Sequence, residues 1–283
     1  MADNSFYYDG SLCMACRGCQ VACKQWNQLP AEKTEFFAAP GGYQNPAALS
    51  ASTWTLIKFH ELACDDCGVK WFFRRETCMH CTDAKCIEAC PVQPAEEGGP
   101  KAMHRTEYGT VTVDAERCIG CGACAAACPY GVPHVDPEAK KSRKCTGCVD
   151  RVAEGLSPAC VNTCCTDALD YGPRADMVAK AQAQAAALKK AGCKEVTVYG
   201  VEEHGGLHSI YVLPGPFAQY GIVEAKADMG TIRREAQRAW AAWQAQQPVP
   251  VRTAGGPGMA ALAAGGLLAA GLSRLAERKA TKR

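Results

Sequence analysis

The chain has 283 residues, of which 20 are cysteine, 27 glycine and 16 proline, and only 7 % of the side chains are aromatic. A formal net charge of +2 does not favour nucleic acid as a partner. A disulfide framework is typical of small secreted chains, whereas this chain is long enough for an ordinary core. The composition predicts a loop-rich α+β protein organised by cofactors.

The N-terminal part of the chain carries the first of four cysteine bursts. Residues 1–10 have neither a basic start nor an apolar run, so no signal peptide is expected there. The first burst reads Cys13-x2-Cys16-x2-Cys19-x3-Cys23. The segment 24–63 forms an insert after this burst. Its prolines and glycines predict irregular loop, and a strand is predicted over Thr53–His60 near the end of the segment.

Two further bursts lie close together in the middle of the chain. The second reads Cys78-x2-Cys81-x4-Cys86-x3-Cys90, and the third reads Cys118-x2-Cys121-x2-Cys124-x3-Cys128. A proline follows each of them directly, at Pro91 and Pro129. Residues 108–113 have the pattern of a hairpin strand that leads into the third burst.

The fourth burst reads Cys145-x2-Cys148-x11-Cys160-x3-Cys164, and after it the composition of the chain changes. An alanine- and glutamine-rich segment predicts a helix over 175–191, ended by Gly192. Alternation then predicts strands at Glu195–Tyr199 and His208–Leu213. Residues 229–247 carry a helical apolar stripe, which favours packing on the domain or on a partner over a cofactor role.

The C-terminal segment 253–273 has no charged residue over 21 positions. As a helix it would be roughly 31 Å long, about the thickness of the hydrocarbon core of a membrane. Its many alanines and glycines make it only weakly apolar. We favour a transmembrane helix for this segment, and a flexible tail is the alternative. The basic tail 274–283 would then lie on the cytoplasmic side.

The spacing of the bursts points to one kind of cofactor. Sixteen thiolates in four such sets match the ligand requirement of four 4Fe-4S clusters. Two intervening residues let a tight loop bring three thiolates to one cluster, while the fourth cysteine ligates the other cluster in two-cluster ferredoxins. The proline after the second and third bursts completes the bacterial ferredoxin signature. We expect no residue that makes or breaks substrate bonds. The predicted function is therefore a one-electron relay.

Cross-ligation predicts four ligand sets in two nested ferredoxin-like units. In the inner unit, residues 64–139, the sets are Cys78, Cys81, Cys86 and Cys128, and Cys90, Cys118, Cys121 and Cys124. In the outer unit, residues 1–63 and 140–174, they are Cys13, Cys16, Cys19 and Cys164, and Cys23, Cys145, Cys148 and Cys160. Residues 175–250 follow as a helix-and-strand extension in contact with a partner. A cluster shared by Cys19 and Cys23 would contradict this scheme.

Four cysteines fall outside the bursts, and they are Cys64, Cys67, Cys165 and Cys193. The Cys64–Cys67 pair is compatible with half a zinc site or a redox disulfide, but it has no obvious second half. Cys165 and Cys193 are interpreted as packing or incidental thiols. Zinc is also an alternative for the last cysteine pair of the fourth burst. A zinc-stabilised structural protein without a redox role is therefore the alternative from another class.

Three basic residues, Lys24, Arg143 and Lys144, border the predicted ligands. A positive charge there would favour the reduced, more negative form of a cluster and raise its reduction potential. Ordinary solvated side chains are an equally good interpretation of all three.

The residues around the cysteines carry a resemblance to a known family. The matching segments are Cys16-Arg-Gly-Cys-Gln-Val-Ala-Cys-Lys-Gln-Trp-Asn27, Leu29-Pro-Ala-Glu32, Gln44-Asn-Pro46, Cys78-Met-His-Cys-Thr-Asp83, Cys145-Thr-Gly-Cys-Val-Asp-Arg151 and Pro158-Ala-Cys-Val-Asn-Thr-Cys164. Over most of residues 5–215 the chain resembles the iron–sulfur β subunit of molybdenum or tungsten formate dehydrogenases. The wider group includes the four-cluster subunits of dimethyl sulfoxide, polysulfide and nitrate reductases. Cys165 departs from the pattern, because it stands where a proline is expected.

The resemblance implies partners and a location as well as cofactors. It implies a catalytic α subunit that oxidises formate, or reduces CO2, at molybdenum or tungsten held by two pterins. It implies a cytochrome b membrane subunit, a cytochrome c or a quinone-linked acceptor at the other end. The cluster domain is expected on the periplasmic side of the cytoplasmic membrane, exported with the α subunit, with a cytoplasmic location as the alternative. The same relay role in another molybdoenzyme or a hydrogenase is the alternative function.

Overall fold

The computed structural model of the chain describes residues 3–34, 45–64, 68–96, 98–215 and 217–222. These residues form short strands and mostly short helices joined by loops, as expected for an α+β protein. The described residues contain ten strands: β1 (Asn4–Asp9), β2 (Thr55–Cys64), β3 (Gly68–Thr77), β4 (Met103–Arg105), β5 (Val111–Val113), β6 (His134–Val135), β7 (Ser142–Arg143), β8 (Leu169–Pro173), β9 (Thr197–Tyr199) and β10 (Ser209–Leu213).

The helices are short except for one. The six α-helices of the described part are α1 (Gly18–Trp26), α2 (Lys85–Glu88), α3 (Ala123–Ala127), α4 (Val149–Ala153), α5 (Ala159–Asn162) and α6 (Arg174–Lys190). Single 3-10 turns follow at Glu203–Gly205 and Phe217–Tyr220. Each helix from α1 to α5 carries or directly follows a predicted ligand, so the short helices lie where the cysteines are.

A four-stranded sheet joins the two ends of the described chain. Its strand order is β8-β1-β10-β9. β1 runs parallel to β10, with Phe6 opposite Ser209, and antiparallel to β8, with Phe6 opposite Tyr171. β9 pairs with β10 in antiparallel register, with Tyr199 opposite Tyr211. The strands at 197–199 and 209–213, which the sequence assigned to an extension, therefore share a sheet with strands of the predicted outer unit.

Strand alternation gives this sheet two different faces. On one face Tyr7 and Val212 pack against Met177 and Ala181 of α6 in a common core. The side chains of the opposite face lie in a second core that includes Cys19 and Cys160, and they are Phe6, Tyr8, Tyr211 and Leu213. The sheet thus has α6 on one side and predicted cluster ligands on the other.

The remaining strands form three antiparallel hairpins. β2 and β3 pair along their whole length, from Thr55 opposite Thr77 to Cys64 opposite Gly68. β4 pairs with β5 and β6 pairs with β7. The strand predicted over Thr53–His60 is confirmed as β2, which begins two residues later and continues to Cys64. The strand predicted over 108–113 is only β5, because the turn before it contains Gly109 with φ of 88°.

The predictions for the region after the fourth burst are confirmed where the structure describes it. The helix expected over 175–191 is α6, and the two strands expected after it are β9 and β10. The helical stripe at 229–247 and the segment 253–273 lie outside the described residues, so both stay predictions. Among the helices that the structure does describe, none is long and apolar enough to cross a membrane.

Candidate metal centres

The four bursts share one backbone feature. The residue directly before the second cysteine of each burst has a positive φ, in the left-handed region that few residues adopt. The four positions are Ala15 at 56°, His80 at 48°, Gly120 at 67° and Gly147 at 75°. In the first and third bursts the left-handed conformation recurs directly after the second cysteine, at Arg17 and Gly122, which are the N-cap residues of α1 and α3. The Cys-x-x-Cys loops are therefore structural repeats as well as sequence repeats.

Three cavities are each lined by four cysteines, and their volumes are nearly equal. We call the sets the first group (Cys13, Cys16, Cys19 and Cys164, about 330 Å³), the third group (Cys78, Cys81, Cys86 and Cys128, about 350 Å³) and the fourth group (Cys90, Cys118, Cys121 and Cys124, about 320 Å³). Each set combines three cysteines of one burst with a fourth from another burst.

The remaining four predicted ligands also lie near one another, and we call them the second group (Cys23, Cys145, Cys148 and Cys160). Burial and then the charges of Cys145 and Cys160 raise the pKa of Cys23 well above its ordinary value. Burial and the same two neighbours raise the pKa of Cys148 to about 12. The structure thus gathers twelve of the sixteen predicted ligands in three cavities, and Cys23 does not line the cavity that Cys19 lines.

The chemistry of these sets fits an iron–sulfur cluster. Within the described ranges, no three His, Cys, Asp or Glu side chains are arranged to hold a single metal ion. The cavities are instead lined by four cysteines each, which suits a multi-atom cluster with thiolate ligands. Soft thiolate donors without a carboxylate are the ligands that iron–sulfur clusters use.

Hydrogen-bond donors surround the ligand sulfurs. The backbone N–H of Ser142 donates to Sγ of Cys118 at 3.3 Å, and that of Gly147 donates to Sγ of Cys145 at 3.4 Å. The hydroxyl of Ser142 lies 3.3 Å from Sγ of Cys124. Donors of this kind stabilise the negative charge of a thiolate-ligated cluster and are one of the factors that set its reduction potential.

His80 adds a donor that has no protein partner. Its Nδ1 accepts the backbone N–H of Val111 at 2.9 Å, so the hydrogen of the neutral ring is on Nε2. That Nε2 is buried and without a hydrogen-bond partner among the described residues. His80 lines the cavity of the third group. A buried donor at this place fits an acceptor atom inside the cavity, such as the sulfide of a cluster.

The three basic residues predicted to influence the clusters differ sharply in environment. Lys24 lies 3.6 Å from Glu32, and Arg143 lies 3.7 Å from Asp136, so both belong to partly exposed ion pairs. Lys144 is 1 % exposed and lines the third cavity. Its Nζ donates to the carbonyl oxygens of Val111 and, at 3.0 Å, of Cys145. Only Lys144 of the three is a buried charge beside the thiolates.

A second buried cation, Arg75, was not predicted from the sequence. It is 1 % exposed in β3, and its Nη2 donates to Sγ of Cys160 at 3.3 Å. The two residues are 85 positions apart in the chain. Cysteine spacing carries no signal for such a contact, because it depends on how the β2–β3 hairpin packs against α5.

The cysteines outside the groups have separate environments. Cys165 is exposed, and its Sγ lies 3.9 Å from Sγ of Cys16 in the first group, so it is a surface thiol beside a predicted ligand. Cys193 is partly buried after α6. Cys64 ends β2, and Cys67 lies outside the described residues. The role of the Cys64–Cys67 pair therefore stays a prediction.

Comparison with known proteins identifies the class and then the family. Residues 69–174, which include the second, third and fourth bursts, match the family model of the 4Fe-4S dicluster domain. The chain is thus an iron–sulfur protein of the ferredoxin type.

Over 205 residues it is 40 % identical to the iron–sulfur subunit of the nitrate-inducible formate dehydrogenase of Escherichia coli (strain K12), covering 72 % of this chain and 66 % of that one. Over 205 residues it is 38 % identical to the formate dehydrogenase iron–sulfur subunit of Haemophilus influenzae, covering 72 % of this chain and 62 % of the other. Over 190 residues it is 35 % identical to the β subunit of formate dehydrogenase 2 (cytochrome c-553) of Nitratidesulfovibrio vulgaris, covering 65 % of this chain and 83 % of that subunit. The chain belongs to the family of formate dehydrogenase iron–sulfur subunits, and it spans just under two thirds of the length of the first two relatives.

Proposed function

We propose that this chain relays single electrons through four 4Fe-4S clusters between a catalytic subunit and an acceptor. The catalytic subunit would oxidise formate, or reduce CO2, at a molybdenum or tungsten pterin site, and the acceptor would be a cytochrome or linked to quinone. The observation that carries the proposal is that twelve predicted ligands line three cavities in sets of four, while the other four predicted ligands influence one another. The names of the relatives support the formate partner, and one of them includes cytochrome c-553.

In this proposal each of the four groups holds one cluster. A bound 4Fe-4S cluster supplies reversible one-electron transfer. The thiolates of the chain hold the cluster, the N–H and O–H donors around the sulfurs stabilise its negative charge, and the surrounding core limits contact with water. The first and second groups would form the outer ferredoxin-like unit, and the third and fourth groups would form the inner one.

Shared cores between groups favour a linear order for the relay. Cys19 of the first group and Cys160 of the second group lie in one core. Cys145 of the second group and Cys78 of the third group lie in another. Cys86 of the third group packs against the core that contains Cys124 of the fourth group. Electrons would therefore pass along the order first, second, third and fourth group, in either direction.

The surface at one end of this order fits a protein partner. Cys16 of the first group is exposed. Three apolar side chains near it in the chain are also exposed, namely Leu12 at 45 %, Met14 at 61 % and Val21 at 62 %. Exposed apolar side chains around a solvent-accessible redox centre are typical of a docking surface, which would shorten the distance to a partner's redox centre.

The test combines composition with electron transfer. The complex purified through this chain should contain about sixteen iron and sixteen sulfide ions per copy of the chain, beyond those of its partners. Formate should reduce these clusters only when the catalytic subunit is present. Zinc in place of iron and sulfide would establish the structural alternative. Reduction by another substrate of the co-purified enzyme, but not by formate, would assign the relay to a different molybdoenzyme or to a hydrogenase.

Ser142 offers a test of the fourth group alone. The substitution Ser142→Ala removes the hydroxyl beside Cys124 and keeps the backbone donor to Cys118. We expect the reduction potential of one cluster to fall, by less than the equivalent of about 1.5 kcal/mol, since one hydrogen bond to sulfur is lost. Redox titration followed by electron paramagnetic resonance (EPR) measures the shift.

The matched control for this experiment is Ser209→Ala. The Ser209 hydroxyl is also buried, but it donates to the carbonyl oxygen of Cys78 and not to a sulfur. Its loss should leave all four potentials unchanged. An equal shift in both variants would show that the hydroxyl–sulfur contact of Ser142 has no special effect.

A further inference from the structure

Arg75 is held firmly against a ligand of the second group. Besides the bond from its Nη2 to Sγ of Cys160, its Nε donates to Oγ1 of Thr55 at 3.0 Å. Its guanidinium carbon lies 5.1 Å from the centre of the Phe6 ring. The hydroxyl of Tyr211 donates to the backbone carbonyl oxygen of Arg75 at 3.1 Å. These contacts fix the position of the positive charge relative to the cysteines.

The charge of Arg75 lies in a core that holds ligands of two groups. Cys160 of the second group and Cys19 of the first group belong to one buried core with Phe6. Arg75 contacts both Cys160 and the ring of Phe6. One guanidinium therefore lies among ligands of two neighbouring groups.

The charge balance around Arg75 depends on these thiolates. Within the described part of the chain, no carboxylate forms an ion pair with Arg75. A buried cation without a counter-ion is destabilising, so negative charge on the neighbouring ligands is what stabilises it. The reduced form of a cluster carries one more negative charge than the oxidised form. A fixed cation beside it therefore favours reduction and raises the potential.

We propose that Arg75 is a positioning residue shared by the first and second groups, where its fixed charge raises the reduction potentials of both clusters. The inference rests on the relay proposed above and adds to it a specific electrostatic link between two of its centres. Lys144 occupies a comparable place between the second and third groups, since it contacts Cys145 and lines the third cavity. The two cations thus affect different pairs of clusters.

The substitution Arg75→Gln tests the inference by redox titration of the purified complex, followed by EPR. Two of the four midpoint potentials should fall by at least the equivalent of a tenfold change in the ratio of reduced to oxidised cluster, about 59 mV for a one-electron couple. The clusters of the third and fourth groups should keep their potentials. The Arg75→Lys variant keeps the charge, so its shifts should be smaller than those of Arg75→Gln.

Arg74→Gln is the matched control. Arg74 is the preceding residue of the same strand, but its guanidinium is 3.7 Å from Glu76 and, among the described residues, donates no hydrogen bond to a cysteine sulfur. The Arg74→Gln variant should leave the potentials of the first and second groups without the shift expected for Arg75→Gln. If Arg75→Gln binds four clusters with unchanged potentials, or shifts all four equally, the inference is wrong.

A measurement on the unaltered protein covers the case in which Arg75→Gln does not assemble. Pulsed EPR of the reduced complex, labelled with nitrogen-15 only in arginine, should detect coupling between a guanidinium nitrogen and a cluster, because Nη2 bonds to a ligand sulfur. No coupling would overturn the inference. Zinc without iron and sulfide would instead refute the proposed relay itself, so the two failures are distinguishable.

Discussion

Replacing Cys86 or Cys128 by alanine is expected to remove the same cluster, although the two residues belong to different bursts. Both line the cavity of the third group together with Cys78 and Cys81. Cys118, in the same burst as Cys128, lines a different cavity, that of the fourth group. A 4Fe-4S cluster needs four ligands, so the loss of either cysteine should destabilise the same centre.

The measurement is the EPR spectrum and midpoint potential of the signal lost in each variant. Cys86→Ala and Cys128→Ala should lose the same signal, and the iron content should fall by up to about a quarter, which corresponds to one of four clusters. Because the third group is internal to the proposed order, electron transfer to the physiological acceptor should stop. Formate oxidation with an artificial acceptor at the catalytic subunit should continue.

Two comparisons make this experiment decisive. Cys118→Ala should remove a different signal from Cys128→Ala, and Cys193→Ala, outside every group, should keep all four. If Cys128→Ala removes the same signal as Cys118→Ala, the ligands are grouped by burst and the cross-ligation scheme is wrong.

The second large effect is expected at Gly120, in the loop between Cys118 and Cys121. Its φ of 67° lies in the left-handed region, and a Cβ there would lie 2.2 Å from the backbone oxygen of Lys140. Gly120→Ala therefore adds a clash with backbone to the conformational cost of a side chain at positive φ, which is about 1–2 kcal/mol. The loop has to move, and we expect the fourth group to lose its cluster.

Gly131→Ala separates the two causes. Gly131 has a nearly equal φ of 62°, but a Cβ there would meet nothing within 4 Å. It should lose only about 1–2 kcal/mol of stability from the conformational cost, with all clusters present. Iron and sulfide content, EPR and denaturant unfolding measure the difference. Equal effects of the two substitutions would show that the contact with Lys140 is unimportant.

Local pattern explains most of the successful predictions from sequence. An alanine- and glutamine-rich composition and a terminal glycine were sufficient for α6, because a helix of 17 residues depends largely on its own sequence. The short strands β5 and β9 were located, but their limits were not, because pairing with a neighbour decides where a three-residue strand begins. The sheet order β8-β1-β10-β9 was not predictable, since it joins segments about 200 residues apart.

The environments of the basic residues could not be predicted from the sequence. Lys24 and Lys144 each stand next to a predicted ligand in the chain, yet Lys24 is in a partly exposed pair with Glu32 and Lys144 is buried. Arg75 stands three residues before the second burst, yet it contacts Cys160 of the fourth burst. Adjacency in sequence does not determine the environment of a long side chain, because its charge can extend to solvent or into the core.

The sequence by itself determined which cysteines gather, since two or three intervening residues limit how far a ligand lies from its neighbours and direct the fourth one elsewhere. It also determined the family, through the residues between the ligands. Only the tertiary structure decided which ligands share a core and which cations are buried. Both depend on contacts between segments distant in the chain, such as Arg75 with Cys160 and the core shared by Cys78 and Cys145. Such contacts follow from packing and sheet register, which no local spacing encodes.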